Sequence, residues 1–171
     1  MWRFVCELAQ EDPSFVGDHL KQFMRQFPQG VTLVTTRYEG QVRGVTISSF
    51  TSLSLDPPLV MIAVAKNASS YLAFVKSEFF NIQLLASTQD SIAARFATKI
   101  DHDEKFRGLQ YAFDSKNNPV IDQALGYLEC MRNQVHEVGD HSLIIAKVIG
   151  AKILGNSEPL IYHNRKFTTI A

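Results

Sequence analysis

The sequence predicts a mainly β chain, an antiparallel barrel, closed or split, packed with a few short helices. Strand-length apolar and β-branched runs outnumber helical stretches, the helices are short, and no regular strand–helix–strand alternation occurs. With 171 residues, 46% of them hydrophobic and 20% charged, the chain suits one domain over 1–171 with a single sizeable core. Residues 1–16 read as a variable N-terminal segment of that domain.

From Gly17 onward, Leu20, Phe23, Met24 and Phe27 recur at helical spacing. Asp18 is placed to cap the first turn, and Pro28-Gln29-Gly30 ends the helix. Residues 31–36 are almost wholly β-branched, Glu39-Gly40 offers a turn, and 42–55 returns as a long extended run, so this stretch reads as a hairpin. Pro57-Pro58 stops that ladder for want of N–H donors, and 59–65 follows as an apolar strand buried on both faces.

A short helix over 70–76, a strand over 79–85 and a second short helix over 90–97 come next. Asp101, His102, Asp103 and Glu104 place 99–105 in a solvated charged loop. After Pro119, strands over 127–135 and 142–154 are joined by a turn containing Gly139-Asp140, and 160–170 supplies one or two edge strands.

Seventeen Lys and Arg residues balance seventeen Asp and Glu, so the field that would gather nucleic acid or an anionic membrane is missing. Cys6 and Cys130 lie far apart and match no paired metal spacing, which reads as reduced thiols in a cytoplasmic protein. The apolar start of the chain is interrupted by Glu7, Gln10, Glu11 and Asp12 before a signal core forms. No segment reaches the roughly 20 apolar residues of a membrane span.

The most informative residues are 44–55. Strand alternation puts Val45, Ile47, Leu53 and Leu55 toward a core and Thr46, Ser48, Phe50, Ser52 and Ser54 on the other side, unless a bulge near Ser49 shifts the register. Six hydroxyls within nine residues, with one aromatic among them, suit a flat ligand with an apolar body and acceptors along its edge, such as a flavin ring. A solvent-facing Ser/Thr strand has the same composition. Ala65-Lys66-Asn67-Ala68-Ser69-Ser70 leads from a buried run into a helix and suits either a phosphate or an ordinary serine cap beside an exposed lysine.

No G-x-G-x-x-G follows a strand and no G-x-x-x-x-G-K-[ST] occurs, so neither a Rossmann dinucleotide fold nor a P-loop nucleotidase is supported. No nucleophile elbow supports a hydrolase. His136 and His141 are five apart and the other histidines are scattered, so no metal site is expected.

These residues resemble those of the short-chain NAD(P)H:flavin oxidoreductases of two-component monooxygenase systems. The strongest similarity is GVTISSFTSLSLDPPL at 44–59. It is joined, in family order, by QGVTLVTT at 29–36, RFAT at 95–98, PVIDQALGYLEC at 119–130 and GDHSLIIAKV at 139–148. The chain departs from the family where Ile47 replaces a small residue and Gln83 an Asn, and where YHNRKF at 162–167 matches the C-terminal motif loosely.

The resemblance implies an FMN-binding split barrel of Greek-key type. It implies that Thr46, Ile47, Ser48, Ser49 and Ser52 line the flavin ring and ribityl chain, and that Lys66, Ser69 and Ser70 take the phosphate region. Arg95, with Phe96, would be a phosphate or pyrophosphate contact. His141 would be the catalytic group beside the nicotinamide, with Tyr162, His163 and Phe167 as further contacts.

The implied cofactors are FMN or FAD, with NADH or NADPH as hydride donor. The implied partners are a second copy of the chain, for which the face of Leu20, Phe23, Met24 and Phe27 serves as well as for the core, and a flavin-dependent monooxygenase. Two other readings stay open. One is a protein that holds FMN and reduces a protein, metal or corrinoid acceptor, and the other is a flavin-binding or interaction module without turnover.

Overall fold

The computed structural model describes residues 13–170, so Cys6 and most of the segment read as variable lie outside the described residues. The helix α1 (Pro13–Gln26) precedes β1 (Gln29–Gly30), β2 (Thr32–Tyr38), β3 (Gln41–Ile47), β4 (Thr51–Leu55) and β5 (Pro58–Ala65). Then come α2 (Tyr71–Lys76), β6 (Phe79–Leu84), α3 (Asp90–Phe96), α4 (His102–Phe106), β7 (Tyr111–Phe113) and β8 (Pro119–Ile121). The long pair β9 (Gly126–Val138) and β10 (His141–Ile153) and the short strands β11 (Ile161–His163) and β12 (Lys166–Thr168) complete the order.

Seven strands form one antiparallel sheet in the order β3-β2-β6-β9-β10-β5-β4. Its two edges, β3 and β4, are consecutive in sequence. Laid flat, seven strands would set the edges about 29 Å apart, yet the four residue steps from Ile47 to Thr51 reach at most about 14 Å. The sheet therefore curls into a split barrel. For the same reason the run over 42–55 is not one strand: it breaks at 48–50, where the chain crosses from one edge to the other.

The barrel interior holds Val34, Ile62, Phe74, Phe80, Ile82 and Ile144. Alternation along β2 sends Leu33 to a second cluster with Leu85, Phe96, Phe106, Ile121 and Leu160, outside the barrel. Gly44 permits that packing, because a Cβ there would stand 2.5 Å from the Phe96 ring, which meets Phe106 edge to face at 5.0 Å.

Several expectations are corrected. Helix α1 starts at Pro13, a residue suited to a first helical position, so Asp18 lies inside it and pairs with Lys21 at 2.9 Å. Leu20, Phe23 and Phe27 are 59%, 69% and 54% exposed, which removes them from this chain's core. Leu53 and Leu55 on the outer edge strand β4 are exposed as well, whereas Phe50 packs on the core. Strand β5 buries Val60, Ile62 and Val64 but leaves its other face partly open, so it is buried on one side only.

The charged stretch near 101 is a helix, not a solvated loop. Asp101 caps α4 by accepting the Asp103 N–H at 2.8 Å, and His102, Lys105 and Phe106 form a buried face at i, i+3, i+4 spacing. Lys105 Nζ donates to Phe96 O at 3.3 Å, and burial pushes its pKa down.

A polar belt ties β7 and β8 to the barrel. Gln83, fully buried, donates to Thr35 Oγ1 at 2.9 Å and to Pro119 O at 3.3 Å, and its carbonyl accepts the Ile121 N–H at 2.6 Å. Cys130 is free and buried on β9, where burial pushes its thiol up to about 12. Among the described residues no helix is long and apolar enough to cross a membrane.

Candidate functional site

The split in the barrel lies between the edge strand β3 and the end of β5 beyond its pairing with β4, and a cleft of about 240 Å3 occupies it. Residues 45–49 line one wall and 63–65 the other, with Ala68 and His141 completing the lining. A larger opening of about 610 Å3 lies among Leu84, Tyr127, Leu128 and Ile153, but its surface is almost wholly apolar. Unlike that opening, the smaller cleft combines several hydroxyls, an imidazole and the free edge of β3, and it is the candidate site.

Strand β3 pairs with β2 alone, which leaves alternate N–H and C=O groups of its other edge without ladder partners. A ligand with acceptors and donors along its rim can take the place of the missing strand. The hydroxyls are less free than their number suggests. Thr46 Oγ1 donates to Ala93 O of α3 at 2.7 Å, so it can only accept from a ligand. Ser49 Oγ both donates to Ala63 O and accepts the Ala63 N–H, each at 3.1 Å, and thereby links the two walls. Among the three, Ser48 keeps its proton uncommitted within the described residues.

His141 opens β10 opposite Ala65. The turn before it holds Gly139 at φ +56°, and the Asp140 carboxylate lies 2.7 Å from His141 Nδ1, which leaves Nε2 for the cleft. The imidazole in turn holds the Asp140 carboxyl below its ordinary value. The Lys66 N–H donates to Asp140 O at 2.9 Å, and Lys66 Nζ pairs with Glu137 at 2.9 Å, an interaction that raises its pKa. The lysine head is thus turned to the β9–β10 turn.

Of the residues singled out in the sequence, the fold brings Thr46, Ile47, Ser48, Ser49 and His141 together around the cleft. Ser69 is exposed and Ser70 buried just before α2, four and five residues beyond Ala65. Ser52 faces outward on β4. Arg95 donates to the Lys105 and Arg107 carbonyls, and Phe96 is core. Tyr162 and Phe167 pack on each other, centroids 5.5 Å apart, in the separate β1-β11-β12 sheet.

Two residues escaped the sequence reading. Asp140 sits in the GDH stretch itself, and an acid beside a histidine after a glycine turn is a legible orienting pair. His102 was hidden among charges, and its spacing to Lys105 and Phe106 is the signal that would have revealed it.

The model of the flavin reductase like domain family matches residues 24–171. The chain is 40% identical over 139 residues to the FMN reductase (NADH) SmoA of Agrobacterium fabrum, covering 79% of this chain and 78% of that protein. It is 32% identical over 145 residues to the reductase subunit HsaB of a flavin-dependent monooxygenase from Rhodococcus jostii, covering 85% and 73%. Among solved structures, nitrilotriacetate monooxygenase component B from Mycobacterium thermoresistibile superposes with TM-score 0.86 at 31% identity, covering 94% and 89%. The flavin reductase HpaC complexed with NADP+ does so with TM-score 0.83 at 32% identity, covering 90% and 97%. A split barrel with a hydroxyl-lined seam, matched over nearly its whole length by such proteins, places the chain in the flavin reductase like domain family.

Proposed function

We propose that this chain is an NAD(P)H-dependent flavin reductase that uses the β3–β5 cleft and supplies reduced flavin to a partner monooxygenase. The observation that carries this reading is the unpaired edge of β3 facing Ala63 and His141 across one cleft. The β3 edge and Ser48 would hold a flavin there, which would supply the hydride acceptor for a nicotinamide nucleotide, chemistry that belongs to the two cofactors.

The protein's task is placement. The free β3 edge and Ser48 offer donors to the rim of the ring, aimed where negative charge grows on reduction. Thr46 and Ser49, with their protons committed to Ala93 and Ala63, hold the wall in shape. Asp140 fixes the His141 ring so that Nε2 addresses the nicotinamide side. The names of the relatives support the nucleotide and the monooxygenase partner, since one is an NADH-dependent FMN reductase and another a reductase subunit. The test is oxidation of NADH and of NADPH by the purified protein with FMN, FAD and riboflavin. Turnover with at least one pair is expected, and failure with all six ends the reading.

The chain also acts as a homodimer in this proposal. Phe15, Leu20 and Phe23 on α1, Phe27 just past its end, and Ile153 and Leu154 at the end of β10 are exposed apolar side chains that a second copy would cover. Light scattering after gel filtration should give twice the chain mass, and Leu20→Asp with Phe23→Asp should shift it toward one. A wild-type monomer removes this part.

A further inference from the structure

Behind the cleft wall stands a helix too short to hold itself. Helix α4 has five residues, far below the length at which a helix persists in water, and residues 97–101 before it and 107–108 after it are exposed. It is held by the face of His102, Lys105 and Phe106 that it lays on β3, the strand whose free edge lines the cleft. Phe106 meets Phe96 and Tyr111 edge to face at 5.0 and 5.4 Å, and Gly44 leaves room for the Phe96 and Phe106 rings. The other two members of that face are ionisable.

His102 is 7% exposed and Lys105 1%. Neither nitrogen of the His102 ring has a hydrogen-bond partner among the described residues. Lys105 faces the ring from its own helix, and Arg43 from β3, where Val42 O and the Gln41 side chain hold the guanidinium. The carboxylate of Asp101 is also near, but it is committed to capping the helix. The Ser69 backbone faces the ring from the turn before α2, and at the far end of α4 Arg95 of α3 donates to the Lys105 and Arg107 carbonyls. An imidazolium would add a positive charge beside two others, in a place sealed from water. Burial first, then Lys105 and Arg43, hold the ring below its ordinary value near 6.5.

We propose that α4 is an acid-released clasp: taking up a proton at His102 undocks the helix from β3 and removes the backing of the cleft wall. Well above pH 6.5 the ring is neutral whether α4 is docked or free, so protons do not bias the balance. As pH falls below that value, the free helix takes a proton that the docked one refuses, and release is favoured progressively. One unit lower, the released form has gained about tenfold, because about ten of its histidines are protonated for each neutral one. Asp101, Asp103 and Glu104 are still mostly ionised there and contribute little.

Amide hydrogen exchange of the full-length protein, without flavin, reads the clasp. The Lys105 amide donates to Asp101 O at 3.0 Å, and the Ala97 amide at the end of α3 donates to Ala93 O at 3.1 Å. From about pH 7.5 to about pH 5.5 the protection factor at Lys105 should fall about tenfold, while that at Ala97 should change less than about twofold. His102→Gln, uncharged at both values, should hold the Lys105 protection constant within about twofold.

If that variant does not fold, a proton NMR titration of the wild type decides: the His102 ring signals should remain those of neutral imidazole at about pH 5.5. A His102 that titrates near 6.5 while α4 stays protected, or a loss at Lys105 that persists in His102→Gln, would overturn the proposal. Equal losses at Lys105 and Ala97 would overturn it too, since the whole domain would then be loosening. No flavin or nucleotide enters the measurement, so its outcome stands apart from that of the reductase reading.

Discussion

Gln83→Leu is expected to lower the unfolding free energy by about 2–4 kcal/mol at nearly constant side-chain volume. The amide of Gln83 serves three groups in a place with no solvent: the Thr35 hydroxyl, the Pro119 carbonyl and the Ile121 N–H. Pro119 O keeps the Thr35 hydroxyl as a partner, but the Ile121 N–H is left with nothing. That single orphaned donor accounts for about 1–3 kcal/mol, and the lost Thr35 bond for about 1 more. Urea unfolding would show a lower midpoint with an unchanged slope. A midpoint within error of wild type would mean that the belt is not what fixes β8 to the barrel.

The second large effect is expected at Ser49. Alanine there removes both halves of the link to Ala63 at once, leaving a backbone N–H and a backbone carbonyl of β5 facing the cleft. Flavin affinity should fall about tenfold or more, with a stability loss of about 1–2 kcal/mol. Thr51→Ala, on the exposed edge strand β4, should change stability by less than about 0.5 kcal/mol. Isothermal titration with FMN and thermal unfolding, run on both variants, check the pair. Equal behaviour of the two would remove Ser49 from the site.

Much of this architecture was legible in the chain because local rules and tertiary packing agree there. The β-branched run at 31–36 became β2, and the two long strands around Gly139-Asp140 became β9 and β10. The hydroxyl cluster at 46–49 lies along the cleft between β3 and β5. Its detailed alternation did not survive, since period 2 assumes a continuous strand and the chain crosses between sheet edges at 48–50.

What stayed hidden is non-local. Nothing near Thr46 announces that its proton goes to Ala93, 47 residues away. Lys66 looks like a phosphate lysine until Glu137 is brought beside it by the β9–β10 turn. His102 and Lys105 read as solvated charges because their burial depends on Gly44 leaving room for Phe96 and Phe106, a fact of packing and not of pattern.

The break in the ladder between β3 and β5 also bears on how long the folded chain persists. A molecule seated in that gap supplies rim contacts that the missing strand would have made, and it binds the closed barrel far better than the open chain. Mass action then adds about 2.7 kcal/mol at a hundredfold excess of ligand over its dissociation constant. Resistance to heat and to proteolysis would accordingly rise and fall with the flavin concentration around the protein.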